Sequence, residues 1–172
     1  MNAYGARQMA ESFRTVRKNT VQVAQDIPDD KYAFRAVEGA MTVAGMLAHL
    51  ATSTHWVTQV HFVEKKGEVS YEDLGRYMAE GKAAAEALTT KADIIAALES
   101  HGRDFASALE TMTDAQLAEH VKFPAPIQPP SKSRFEMLLS VKEHEMHHRG
   151  QLMLMERILG IVPHLTRARQ NR

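Results

Sequence analysis

The sequence predicts an all-α protein built as a four-helix bundle. Aromatic residues make up only 6% of the chain, and the core formers are mostly alanine, leucine, valine and methionine, a composition that favours packed helices over sheets. Four segments place apolar residues at alternating steps of three and four, and a long connection separates the second segment from the third. A length of 172 residues is close to that of one domain, so we expect a single domain over residues 1–172.

The first predicted helix runs from about Ala3 to Asp26 and ends where Pro28 interrupts the backbone ladder. Arg17 and Lys18 lie off its apolar stripe, which makes the helix amphipathic. The stripe comprises Met9, Phe13, Val16, Thr20 and Val23.

The second predicted helix begins after Thr42, a residue type that caps helix N-termini, and continues to about Glu64. His49 falls on its inward face, between Met46 and Ser53. The sequence 65–67, Lys-Lys-Gly, ends the helix. Residues 68–87 form the long connection, with a short helical piece over about 71–85.

The third predicted helix begins at a capping box of Thr90 and Asp93 and runs to about Thr111, with His101 on its inward stripe. One further turn is expected from Thr113 onward. Residues 123–130 are expected to form an extended loop, because their four prolines cannot donate backbone hydrogen bonds.

The fourth predicted helix carries the residues on which the functional hypothesis is built. It begins at a capping box of Ser133 and Glu136 and runs to about Leu159. His144 and His148 stand four residues apart on its inward stripe, so their imidazoles share one face with Cβ atoms roughly 6 Å apart. Two histidines at this spacing form a bidentate grip for a divalent metal ion.

A third nitrogen donor is expected from His49, provided that the second and fourth helices pack side by side. A lone inward histidine is more often a core residue bonded to a backbone carbonyl. Three together favour a metal, because each unpaired buried polar group costs roughly 1–3 kcal/mol. Four further side chains are candidates for contact with these ligands: Ser53, His101, Glu145 and Gln151.

Residues 144–148, His-Glu-Met-His-His, also match the HExxH pattern of zinc proteases, in which Glu145 would be the general base. The longer metzincin pattern requires glycine and histidine where this chain has Gln151 and Leu154. No acidic residue follows Glu156 to serve as a distant glutamate ligand. The peptidase interpretation is therefore the weaker one.

Composition excludes several other classes of function. Lys plus Arg and Asp plus Glu number 21 each, so no net charge draws the chain to nucleic acid or to an anionic membrane. There is no cysteine, so a thiol nucleophile would have to come from a substrate. We find no leader sequence and no apolar run of membrane-spanning length, and we expect a soluble cytoplasmic protein.

Two segments give the chain a family resemblance. Thr-Val-Ala-Gly-Met-Leu-Ala-His-Leu at 42–50 and His-x-x-His-His-Arg-Gly-Gln-Leu at 144–152, together with the Ile-Pro that ends the first helix, resemble the DinB family of DinB/YfiT-like metalloenzymes. The resemblance implies an up-down-down-up bundle, a divalent metal held by His49, His144 and His148, and a homodimer. Relatives include thiol-dependent S-transferases and isomerases.

Three neutral imidazoles with an open coordination position are typical of a catalytic rather than a structural metal site. We expect zinc first and nickel second. The expected substrate is a small molecule, such as an electrophile attacked by a low-molecular-weight thiol, or an ester or amide that is hydrolysed. The alternative is a metal-binding or stress-response bundle without catalytic activity.

Overall fold

The computed structural model describes residues 4–170. Eight α-helices and one antiparallel β-hairpin follow in chain order: α1 (Ala6–Asp26), α2 (Val43–Thr52), α3 (His55–Thr58), α4 (Tyr71–Glu86), α5 (Lys91–Glu110), α6 (Asp114–Ala118), β1 (His120–Lys122), β2 (Ser131–Ser133), α7 (Arg134–Ile158) and α8 (His164–Gln170). A 3-10 turn spans Asp29–Lys31, and a π-helical turn spans Gln59–Val63. The predicted start of the first helix at Ala3 lies outside the described residues.

The bundle consists of α1, α2, α5 and α7. Helix α1 packs against α5 and α7, and α2 packs against the same two helices. Arg14 bonds Glu110 at the end of α5, while Lys91 at the start of α5 bonds the carbonyl of Gln25, so α1 and α5 are antiparallel. Helices α1 and α7 are parallel, as an up-down-down-up order requires. The prediction of an all-α four-helix bundle is confirmed.

The predicted capping residues start three of these helices. The side-chain oxygens of Thr42, Thr90 and Ser133 accept hydrogen bonds from backbone N–H groups three residues later. Each bond satisfies a donor that has no partner within its own helix. These local contacts set where α2, α5 and α7 begin.

The second predicted helix is not continuous. Helix α2 ends at Thr52, and α3 with the π-helical turn follows after a break at residues 53–54. The hydroxyls of Thr52 and Ser53 donate to the backbone carbonyls of Ala48 and Leu50, a bonding pattern that competes with the regular ladder and bends helices. The apolar periodicity persists across this break, which is why the sequence alone suggested one helix.

The β1–β2 hairpin differs from the sequence prediction, whereas α4 matches the helical piece predicted over about 71–85. The predicted proline-rich loop is present, but it connects β1 to β2 in a hairpin that the sequence did not reveal. Three-residue strands rich in Lys and Ser carry too little apolar alternation to be recognised. Helix α4 lies in the long connection and packs against α2 and α3, outside the bundle.

The bundle core is apolar, with Phe13, Leu47 and Leu98 among its fully buried side chains. Arg17 and Glu145 are also buried in it, with 4% and 0% of their surface exposed. Among residues 4–170, no helix has the combination of length and apolar character needed to cross a bilayer.

Candidate metal centre

Three histidines converge between α2 and α7. The Nε2 atom of His144 lies 3.0 Å from Nε2 of His49 and 3.1 Å from Nε2 of His148. One ring nitrogen from each histidine can be chosen so that all three lie within 4.8 Å of one another. All three side chains are half-buried.

Helix geometry accounts for this arrangement. His144 and His148 are one turn apart on α7, and α2 packs against that helix. His49 lies in the last turn of α2, one residue before the fully buried Leu50. The pairing of α2 with α7 therefore brings the distant His49 to the two histidines of α7.

The surroundings of the cluster favour neutral imidazoles. Burial lowers the pKa of His144 to about 4, and the neighbouring His148 and His49 add to this effect. Burial, followed by the proximity of His148, also lowers the pKa of His49. Both rings are therefore neutral near pH 7, which leaves lone pairs available for a cation.

Gln151 orients the third ring. Its Oε1 lies 2.7 Å from Nδ1 of His148. An amide oxygen can only accept a hydrogen bond, so Nδ1 carries the ring proton and Nε2 of His148 presents a lone pair towards His144. Metal-ligating histidines typically donate their second ring N–H in this way.

The donor set fits a divalent cation. Nε2 of His144 faces the Nε2 atoms of both His49 and His148. A proton on Nε2 of His144 can be donated to only one of them, so the other pair of nitrogens has no hydrogen bond between them. A cation accepts all three lone pairs at once. A site made only of imidazole nitrogens suits zinc, nickel, copper or iron.

The other candidate side chains make their hydrogen bonds away from the cluster. The Ser53 hydroxyl donates to the carbonyl of Leu50. His101 is exposed, which differs from the predicted inward position, and its Nδ1 bonds the carbonyl of Ala51 near the end of α2. Glu145 is fully buried and pairs with the buried Arg17 of α1. Of the four, Gln151 is the one that contacts a histidine of the cluster.

A cleft of about 840 Å³ opens beside the histidines. It lies between α2, α3, α4 and α7, and His49 and His144 form part of its wall. Most of the wall is apolar, with Trp56, Met78 and Leu88 among the larger side chains. A cleft of this size holds a small organic molecule.

Sequence reasoning missed one buried interaction beside the centre. Arg17, which lies off the apolar stripe of α1, is buried, and its guanidinium bonds both carboxylate oxygens of Glu145 at 2.9 and 3.0 Å. The pairing joins residues 128 positions apart, and no pattern within one helix signals it.

Comparison with known proteins gives a consistent picture. A family model described as the DinB superfamily matches residues 12–152. The uncharacterized protein YjoA of Bacillus subtilis is 23% identical over 156 residues, which cover 90% of this chain and 91% of that protein.

Two solved structures share the fold. The crystal structure of the DinB-like protein YjoA from Bacillus subtilis has a TM-score of 0.66 at 24% identity, covering 89% of this chain and 92% of that one. YfiT from Bacillus subtilis has a TM-score of 0.70 at 16% identity, covering 94% and 91%. YfiT is described as a probable metal-dependent hydrolase with an unusual four-helix bundle topology.

Proposed function

The chain belongs to the DinB superfamily, and on that premise we propose that it is a metal-dependent enzyme acting on a small organic molecule. The observation that carries the proposal is the convergence of three imidazoles, two of which, those of His49 and His144, form part of the wall of the 840 Å³ cleft. Hydrolysis is the first reaction class, in line with the description of YfiT. Transfer to a low-molecular-weight thiol is the second.

His49, His144 and His148 would hold the ion, with zinc expected before nickel. When bound, a divalent cation supplies the Lewis acidity that activates a water or a thiol at neutral pH. Gln151 keeps Nε2 of His148 directed at the cluster, because its Oε1 accepts a hydrogen bond from the Nδ1–H group of the same ring. The chain has no cysteine, so the nucleophile comes from solvent or from a second substrate.

The cleft wall favours a substrate that donates hydrogen bonds. Thr52, Ser53 and Ser140 are among the residues that line the cleft, and the hydroxyl of each donates its proton to a backbone carbonyl. A hydroxyl whose proton is engaged in this way can only accept a hydrogen bond from a ligand. Trp56 and Met78 supply an apolar surface that excludes water from the apolar part of a bound molecule.

Metal binding is tested by elemental analysis of untagged protein. We expect about one equivalent of zinc or nickel in the wild-type chain and its loss when His49, His144 and His148 are all replaced by alanine. His120→Ala is the control, because His120 is an exposed histidine on β1 whose Nδ1 contacts the hydroxyl of Ser131. Full metal retention in the triple variant would contradict the site.

Catalysis is tested with the metal-loaded protein. One panel contains amides and esters, and a second combines cellular thiols with electrophiles. We expect turnover in one panel that is lost in His148→Ala. We also expect a lower KM for amides than for matched esters, because an amide N–H can donate to the hydroxyl oxygens of the wall. Absence of turnover in both panels would contradict the enzyme proposal and favour the alternative of a metal-binding bundle without catalytic activity.

A further inference from the structure

One arginine of α1 contacts all three of the other bundle helices. Nη1 of Arg17 donates to the carbonyl of Leu98 on α5 at 3.0 Å, and Nη2 donates to the carbonyl of Leu50 on α2 at 3.1 Å. Nε donates to both oxygens of Glu145 on α7, and Nη2 lies 2.9 Å from one of them. The guanidinium thus cross-links the bundle from inside.

Two of these contacts are adjacent to the histidine cluster. Leu50 follows His49 in the last turn of α2, and Glu145 follows His144 on α7. The carbonyl of Leu50 lies close to the break after Thr52, where the helix can no longer satisfy its own acceptors. A cation placed there is favoured by the helix dipole, and it fixes the end of α2 that bears His49.

Stability alone does not explain this ion pair. Removing two charges from water is expensive, and replacing a buried ion pair by apolar side chains of similar size is often neutral or stabilising. Both partners are nevertheless buried, with side-chain exposures of 5% and 0%. Unlike an apolar contact, the ion pair fixes the relative orientation of the helices, because the planar guanidinium donates to acceptors on three of them in a set geometry.

We propose that Arg17 and Glu145 are positioning residues of the three-histidine centre. The guanidinium holds the last turn of α2 against α7, and this sets the separation between His49 and the two histidines of α7. The inference rests on the proposed function, since it gives these residues a role in metal binding. Neither residue touches the cleft or the three imidazoles.

Helix α5 is shaped to admit the arginine. A Cβ atom added at Gly102 would lie 2.7 Å from Cγ of Arg17 and 3.2 Å from its Cδ. Real side chains essentially never approach so closely, so the stem of Arg17 depends on glycine at that position.

The test replaces the pair by similarly sized apolar side chains in the double variant Arg17→Met/Glu145→Met. The probe is cobalt(II), whose visible absorption reports coordination geometry. We expect a folded protein in urea titration, cobalt affinity weakened by about 10- to 100-fold, and an altered spectrum. Wild-type affinity with an unchanged spectrum would overturn the proposal.

A matched control and a second variant make the result specific. Arg14→Met/Glu110→Met removes an exposed ion pair between α1 and α5, and its cobalt affinity and spectrum should match the wild type. Arg17→Lys keeps the buried charge, but a lysine cannot reach three helices at once. It should weaken cobalt binding even if the double variant fails to fold, and wild-type binding by Arg17→Lys would overturn the proposal.

Crystal structures of the metal-free wild type and double variant separate this inference from the proposed function. If the wild type binds no cobalt, the proposed function fails. The positioning role is then tested by the distance between the histidine nitrogens in the two crystal structures. We expect the 3.0 Å separation of Nε2 atoms between His49 and His144 to change by at least about 0.5 Å in the variant. An unchanged separation would refute the positioning role.

Discussion

Glu156 on α7 is a buried carboxylate whose ionisation should make the stability of the protein depend on pH. None of its surface is exposed, and neither of its oxygens has a hydrogen-bond partner among residues 4–170. Burial, helped by repulsion from Asp26, raises the pKa of Glu156 from 4.5 to about 7. Full ionisation in the native state therefore costs about 3 kcal/mol.

The sign follows from proton binding. Between pH 4.5 and about 7 the native state keeps a proton that the unfolded chain has released. The contribution of Glu156 to the free energy of unfolding is thus complete below about pH 4.5 and is lost as the pH rises through about 7. Glu156→Gln keeps the shape of the side chain and cannot ionise. Its stability relative to the wild type should rise by about 2.5 kcal/mol between about pH 5 and about pH 9, because part of the total effect is already lost at pH 5.

The assay is urea denaturation of both proteins at the two pH values, with a chelator present so that metal binding does not contribute. Other titrating groups, including the buried His61, cancel in the difference between variant and wild type. Glu143→Gln, an exposed carboxylate on the same helix, is the control and should show no such change. A relative stability of Glu156→Gln that is the same at both pH values would refute the reasoning.

Substitutions at three further positions test other contacts. His101→Ala removes the hydrogen bond to the carbonyl of Ala51, so the free energy of unfolding in urea should fall by about 1 kcal/mol. The metal content should not change, and a loss of metal would mean that His101 acts on the cluster. Gly102→Ala should destabilise by about 1–3 kcal/mol through its clash with Arg17, and wild-type stability would show that the arginine has room to shift. Ser133→Ala should cost about 1 kcal/mol, with Ser133→Asp restoring most of it, because α7 loses its N-cap acceptor; an equal loss in both variants would contradict capping.

Features that depend on neighbouring residues were predictable from the sequence. Thr42, Thr90 and Ser133 bond backbone groups three residues away, so their chemistry is local. The spacing of His144 and His148 places them on one face of any regular helix. His49 could be added because the apolar stripe around it identifies the inward face of its helix.

Features that depend on tertiary packing were not predictable. Arg17 lies off the apolar stripe of its helix, yet it is buried because Glu145 and two backbone carbonyls accept its hydrogen bonds inside the bundle. His101 lies on a predicted inward stripe, but it is exposed and bonds the carbonyl of Ala51 near the end of α2. In both cases the deciding partner lies on another helix, and its position depends on how the helices are arranged.

Because α4 lies outside the bundle, part of the cleft wall is carried by a different helix from those that carry the three histidines. Of the side chains of α4, all of which are described, Tyr77 alone is buried, while Met78, Gly81 and Lys82 contribute to the cleft wall. The histidines and the Arg17 cross-link belong to bundle helices instead. Substitutions on the exposed face of α4 typically change stability by less than about 0.5 kcal/mol. Under the proposed function, changes confined to this one peripheral helix would alter which molecules the cleft accepts, in evolution or in the laboratory, while the three histidines stay in place.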